Sequence, residues 1–226
     1  MKIKKIIDKH IHEIEFLKIV QLEKKLINNI SNHDILIFDR NIAKNRLIKK
    51  LLKKFPKRCF VIKGHEKIKN LQNYSSLIEK IIKIGVQRKT IIYSFGGGTL
   101  GDLSGFLAST ILRGVEHVMI PTSLLAMVDS SIGGKTGINS KFGKNLIGTF
   151  YLPKKVFICS DFIKSLPKRE IACGYAEIIK YSLIHSKQLH KLLIKGSKGD
   201  INKIIKLSIN SKFKYISDFR EKLKSK

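Results

Sequence analysis

Thr90-Ile91-Ile92-Tyr93-Ser94-Phe95-Gly96-Gly97-Gly98-Thr99-Leu100-Gly101-Asp102 is the stretch that decides the fold. A short, nearly continuous apolar run ends in a glycine triplet, and a helical pattern follows to Leu112. An apolar run without alternation marks a strand buried on both faces. The G-x-G-x-x-G spacing from Gly96 to Gly101 places glycine where a backbone turns tightly and approaches a pyrophosphate, with free helix N–H groups beside it. The same glycines equally serve a tight turn with close helix–sheet packing, and both readings stand on these residues alone.

Outward from this stretch the pattern repeats. Ile35–Phe38 reads as a buried strand ended by Asp39-Arg40-Asn41, and Ala43–Lys54 repeats apolar residues at helical spacing. Cys59–Ile62 reads as a second strand, Leu71–Ile84 as a helix closed by Gly85, and Val118–Ile120 as a fourth strand before Pro121. Strands alternating with helices of about a dozen residues predict an α/β fold with a parallel sheet covered on both faces. Residues 1–30 read as amphipathic and helix-prone. From Pro167 onward the pattern is helical, over Leu166–Ile184, Gln188–Ile194 and Ile201–Phe219. The expected organisation is an α/β nucleotide-type domain over residues 1–160 and part of an all-helical domain over residues 161–226.

The chain has 226 residues and a net charge of +28, which raises nucleic acid as a partner. The basic residues are 38 Lys and 7 Arg, and 37 Ile accompany them, a drift in composition rather than the arginine forks that base and phosphate readers use. Residues Ile91–Phe150 escape the drift: they are net +1 and hold 11 of the 16 glycines. Burial explains the missing lysines there but not the glycines. Charge scattered over every flanking helix, with no Trp, argues against nucleic acid. The longest apolar stretch, Val118–Val128, is eleven residues long, short of the roughly 20 that a membrane span needs. Cys59, Cys159 and Cys173 are odd in number and far apart, which excludes a disulfide framework and fits a cytoplasmic setting. The N-terminus lacks the apolar run of a secretory signal.

Two further motifs carry chemistry. Gly133-Gly134-Lys135-Thr136-Gly137 has the ending of an ATPase phosphate loop, but that loop needs a glycine where Asp129 stands. Lys135, Lys144 and Asn145 near Asp129 suit an anionic, hydroxylated small molecule, while a solvated loop accounts for any one of them. In Gly174-Tyr175-Ala176-Glu177-Ile178-Ile179-Lys180-Tyr181, Glu177 and Lys180 share a helix face. That is either a surface ion pair or, given the apolar neighbours, an inward carboxylate fit for a metal or for proton transfer.

Together with Arg113-Gly114, Pro121–Asn139, Gly143–Pro153 and Leu166–Glu170, these motifs strongly resemble 3-dehydroquinate synthase, a sugar phosphate cyclase family. The match is near-continuous over roughly residues 90–185 and fainter over 35–90. The resemblance implies a dehydroquinate synthase-like fold and a cytoplasmic lyase of the shikimate pathway, in aromatic amino-acid biosynthesis. Such an enzyme converts 3-deoxy-D-arabino-heptulosonate 7-phosphate to 3-dehydroquinate and phosphate, with NAD and a divalent metal, zinc or cobalt. It implies that Gly98, Thr99, Leu100, Gly101 and Asp102 hold the pyrophosphate, that Thr122 and Ser123 lie near the nicotinamide, and that Asp39, Asn41, Glu66 and Lys69 meet the adenosine half. Lys135 and Lys144 would line the shared cleft, with Arg113, Asp129, Asn145 and Lys180 on the substrate side. Phe162, Ile163, Lys164 and Ser165 match a further NAD-contacting stretch, and Glu177 matches the metal-binding glutamate.

The seven histidines do not fall where that family places its metal histidines, and the expected form is a chain shortened before them, its turnover open. His185 lies eight residues from Glu177, roughly 12 Å along a straight helix, and does not replace them. A homodimer is left open. Other readings that stay open are another sugar phosphate cyclase, a non-catalytic NAD-binding module and a basic nucleic-acid-binding protein.

Overall fold

The computed structural model describes residues 1–7, 10–194 and 200–224, with backbone only at 10 and from 217 onward. Its centre is the run read above as decisive. Ile91–Gly96 forms β5, the turn at Gly97 leads into α4 (Gly98–Thr110), and the neighbouring strands are β3 (Ile35–Asp39) and β6 (Glu116–Pro121). The remaining elements are β1 (Lys2–Ile7), β2 (His10–Phe16), α1 (Ile19–Asn29), α2 (Arg46–Lys54), β4 (Cys59–Ile62), α3 (Leu71–Lys83), β7 (Lys135–Ser140), β8 (Gly143–Phe150) and β9 (Lys155–Ile158). Three helices follow: α5 (Lys168–Ile184), α6 (Lys187–Ile194) and α7 (Ile201–Lys224).

Seven strands form one sheet in the order β1-β2-β9-β6-β5-β3-β4, and β7 pairs with β8 apart from it. All neighbours in the large sheet are parallel except β1 and β2. Successive side chains of the central strands divide between two cores. Leu36, Phe38, Tyr93 and Phe95 face one side with Leu22, Leu26, Leu47 and Leu51. Ile35, Ile37 and Ile92 face the other with Leu77, Ile81, Leu103 and Leu107. Ile178, Tyr181, Leu189, Ile205 and Ile209 from the three late helices belong to the first of these cores.

The N-terminal reading is corrected. Lys2–Ile7 and His10–Phe16 form two antiparallel strands, and the helix is confined to α1. In β2 the apolar-core positions His12, Ile14 and Phe16 share one face, and Ile11, Glu13 and Glu15 share the other, where Ile11 is exposed and the two carboxylates pair with lysines. A sequence so rich in Lys and Ile satisfies helical and strand spacings at once, and tertiary pairing decides. The hairpin of β7 and β8 was hidden in what read as glycine-rich loop. There Gly137 sits opposite Gly148, and a Cβ on Gly148 would stand 2.1 Å from the Thr136 carbonyl oxygen. Close backbone approach, rather than alternating side chains, builds this pair.

Candidate functional site

From β3 the chain crosses outward to β4, then returns to lay β5 on the other side of β3. The order therefore reverses between β3 and β5, and open α/β sheets bind ligands outside the carboxyl ends of the strands at such a switch point. Asp39 ends β3 and Gly96 ends β5. The Asp39 carboxylate accepts from the Asn41 N–H at 2.9 Å and from Gly64 N–H at 3.4 Å. Gly64 is required there, since a Cβ would stand 2.1 Å from Asp39 Oδ2. Asn41 itself is exposed.

Helix α4 starts without a side-chain cap. Asn45 and Asn70 cap α2 and α3, accepting from Leu47 N–H at 2.9 Å and Asn73 N–H at 2.8 Å, whereas the N-cap of α4 is Gly97. The first intrahelical bond of its turn runs from Gly101 N–H to the Gly97 carbonyl, which leaves the N–H groups before it pointing out of the helix end. Its glycines divide the two roles that the sequence left open. A Cβ on Gly101 would meet Met119 Cε at 2.5 Å and one on Gly105 would meet Thr136 Cγ2 at 2.4 Å, so these pack the helix on its neighbours. Gly97 is less crowded, with Ser123 Oγ at 3.3 Å nearest. Leu100 points into the core, and Thr122 is buried with its N–H on the Gly96 carbonyl at 2.9 Å.

A polar network secures this helix end. Lys69, only 2% exposed, donates to Asp102 Oδ2 at 2.7 Å and to Asn145 Oδ1 at 2.5 Å, and Glu66 lies 3.8 Å away. Glu66 accepts from Thr99 Oγ1 at 3.2 Å and from Asn139 Nδ2 at 3.0 Å. Burial pushes the Asp102 carboxyl above its ordinary range, against the pull of Lys69. Burial acts upward on Glu66 too, but Asn139, Lys69, Thr99 and Lys144 together hold it below the usual range. Asn145 takes a left-handed φ of 57°, which asparagine tolerates.

Beside the network opens a cavity of about 430 Å³ lined by Asp102, Asp129, Ser130, Lys135, Asn145, Phe150 and Lys212, among others. Asp129 and Ser130 belong to a π-helical turn, Ala126–Ser130, a rare geometry that recurs at functional sites. Gly174 brings α5 against this segment: a Cβ there would meet Leu124 Cβ at 2.6 Å. The approach lets the Tyr181 hydroxyl donate to Asp129 Oδ1 at 2.5 Å, and Lys212 Nζ from α7 donates to the same oxygen at 2.6 Å. Burial raises Asp129, but Lys212, the Tyr181 hydrogen bond and Lys180 outweigh it and hold the carboxyl below its ordinary value. This is a carboxylate held charged among cations, suited to accepting hydroxyl hydrogens from a bound molecule that also carries negative charge.

Of the residues expected from sequence, Asp102, Asp129, Lys135 and Asn145 meet at the cavity, with Glu66, Lys69 and Thr99 in the adjoining network. Lys144 is exposed on β8 and acts on Glu66 through its charge. Arg113 is exposed beyond α4, at a left-handed φ of 66°, and does not line the cavity. Phe162 is buried in the core; Ile163 is half-buried, Lys164 pairs with Asp161 at 2.7 Å, and the Ser165 hydroxyl donates to the Phe162 carbonyl at 2.9 Å. Glu177 is ion-paired with Lys180 one helical turn on. Among the described residues, no group of three or more His, Cys, Asp or Glu is placed to hold a metal. Asn139, Ser130, Tyr181 and Lys212 were not singled out from sequence. A lysine on a lysine-rich helix carries no local signal, and only the packing of α7 on the π turn reveals Lys212.

The family model described as 3-dehydroquinate synthase N-terminal matches residues 59–173. The chain belongs to that family. Curated 3-dehydroquinate synthases are similar to it along most of its length: that of Prochlorococcus marinus (strain AS9601) is 45% identical over 213 residues, 90% of this chain and 58% of the relative. That of Pelagibacter ubique (strain HTCC1062) is 49% identical over 179 residues, 78% of this chain and 47% of the relative. This synthase-family chain thus spans less than three-fifths of the length of these relatives. Among solved structures, 2-deoxy-scyllo-inosose synthase complexed with carbaglucose-6-phosphate, NAD+ and Co2+ is similar with a TM-score of 0.74 and 25% identity, over 95% of this chain and 64% of that one. The α/β fold expected from the alternating strands and helices, and the synthase-like fold that the resemblance implied, are the fold observed. Among the described residues, no helix is long and apolar enough to cross a membrane.

Proposed function

We propose that this chain holds NAD at the crevice between β3 and β5 and serves the 3-dehydroquinate synthase reaction, conversion of 3-deoxy-D-arabino-heptulosonate 7-phosphate to 3-dehydroquinate and phosphate, in the cytoplasm. The observation that carries the reading is the meeting of an uncapped helix N-terminus, a carboxylate at the end of β3 and a cation-rimmed cavity at one switch point. The residues present fit the dinucleotide. Asp39 suits a ribose diol, the N–H groups opening α4 suit the diphosphate, and Thr122 and Ser123 stand where the chain continues towards the cavity. When bound, NAD supplies reversible hydride transfer with a substrate hydroxyl.

Substrate binding falls to the cavity. Asp129 accepts from hydroxyl groups, Lys135 and Lys212 face negative charge, and Asn145 both donates and accepts. Arg113, Lys144 and Lys180 are further substrate-side candidates, as are Asn41, Glu66, Lys69 and residues 162–165 for the dinucleotide. Division into residues 1–160 and 161–226 belongs to the same proposal. The described residues do not by themselves fit a metal: Glu177 is one ligand where a catalytic site wants about three. No step is therefore derived through it.

Two measurements test the reading. Calorimetric titration with NAD is expected to show one site per chain, and phosphate release from the heptulosonate phosphate, with added zinc, reports turnover. Binding without release supports the cofactor role and removes the catalytic one from this chain. Absence of both overturns the proposal.

A further inference from the structure

We infer that Ser130 is a direct ligand of the dinucleotide, its hydroxyl donating to a diphosphate oxygen at the start of α4; this rests on the NAD reading above. Three observations carry it. First, Ser130 Oγ is buried and has no hydrogen-bond partner. An orphaned buried hydroxyl is costly, and native structures seldom leave one without a purpose. Second, it is packed directly over Gly98: a Cβ built on that glycine would lie 2.8 Å from Ser130 Oγ and 3.2 Å from Ser130 Cβ. Gly98 is the first residue of a helix whose N-cap has no side chain. Ser130 does not act as a substitute cap, since no N–H of that turn donates to it. The hydroxyl thus lies over the first residue of a helix whose opening N–H groups have no side-chain cap, and an anionic oxygen is an acceptor that satisfies hydroxyl and amides together. Third, Ser130 sits on the π turn beside Asp129, and both line the cavity. The turn thus presents two adjacent residues to one space, Asp129 to the substrate side and Ser130 to the helix end. The close packing also gives Gly98 a reason that the glycine spacing alone does not: any side chain there would displace the hydroxyl.

The test is calorimetric binding of NAD, and separately of ADP-ribose, to the full chain and to Ser130→Ala. Both affinities are expected to fall about tenfold, the worth of a hydrogen bond to a charged group. The melting temperature should stay level or rise, because the variant removes an unsatisfied group. Ser131→Ala serves as control, since Ser131 Oγ is also buried without a partner but does not line the cavity; it is expected to bind as the parent does. Unchanged affinity of Ser130→Ala beside a binding parent overturns the assignment alone. Loss for NAD but not for ADP-ribose overturns it in favour of a nicotinamide contact, and a lowered melting temperature with affinity lost equally in Ser131→Ala marks a structural role. If the parent binds neither ligand, the cofactor reading fails and the assignment with it.

Discussion

Lys69 shows how a single buried charge organises the site. Its ammonium, almost fully removed from solvent, ties the segment before α3 to Asp102 on α4 and Asn145 on β8. Removing one partner of such a pair leaves the other stranded in a poor solvent for charge. Lys69→Met is expected to lower unfolding stability by about 3 kcal/mol in urea titration, and adding Asp102→Asn to recover part of the loss. A double variant no more stable than the single one would show that Asp102 is not what Lys69 holds. Residues of this kind were partly legible in sequence. The glycine turn and Asp39 announce themselves at strand ends, and Asp102 is marked by the family resemblance. Asn139, Tyr181 and Lys212 do not, because their roles arise from segments that meet only in the folded chain.

At the scale of elements, the clearest case is the β7–β8 hairpin, which supplies Lys135, Asn145 and Phe150 to the cavity wall. Gly148 faces backbone atoms, with the Thr136 oxygen 2.1 Å and Gly137 Cα 2.9 Å from an added Cβ. Backbone cannot step aside without opening the pair. Gly148→Ala is expected to cost about 2 kcal/mol and to weaken substrate binding with it. Gly101→Ala meets only the free end of Met119, a flexible thioether that rearranges readily, so a loss below about 1 kcal/mol is expected. Equal losses for the two in denaturant titration would contradict this ordering. The same element marks the limit of sequence patterning. Strands β3, β5 and β6 are legible because burial on both faces demands unbroken apolar runs, and the half-buried edge strand β4 is legible from its own short apolar run. Strands β7 and β8 are built on glycine contacts, and β1 and β2 on isoleucines interleaved with lysine in the first and with histidine and glutamate in the second, a spacing that suits a helix equally well, so neither pair declares itself.

For the whole molecule, two buried histidines contribute to the response to acid. Burial lowers His117 to about 3, and lowers His12 to about 4 against an opposing contribution from the Pro153 backbone. Both folded values lie below the ordinary 6.5, so as pH falls the unfolded chain takes up these protons first. The stability they contribute is complete above pH 6.5 and is lost progressively towards pH 4 for His12 and pH 3 for His117. The urea midpoint is expected to fall steadily below that point, and less steeply in His12→Phe. A midpoint indifferent to pH across this window would contradict the burial of both rings.

At this scale too the sheet order matters more than any one residue, since it brings Asp39, the opening of α4 and the cavity to one crevice. The most direct test of that convergence is a crystal structure of the full chain with NAD bound. The account predicts the diphosphate on the N–H groups of Gly98 to Leu100 and the adenosine ribose against Asp39. A dinucleotide bound elsewhere, or density for none at saturating concentration, would contradict it.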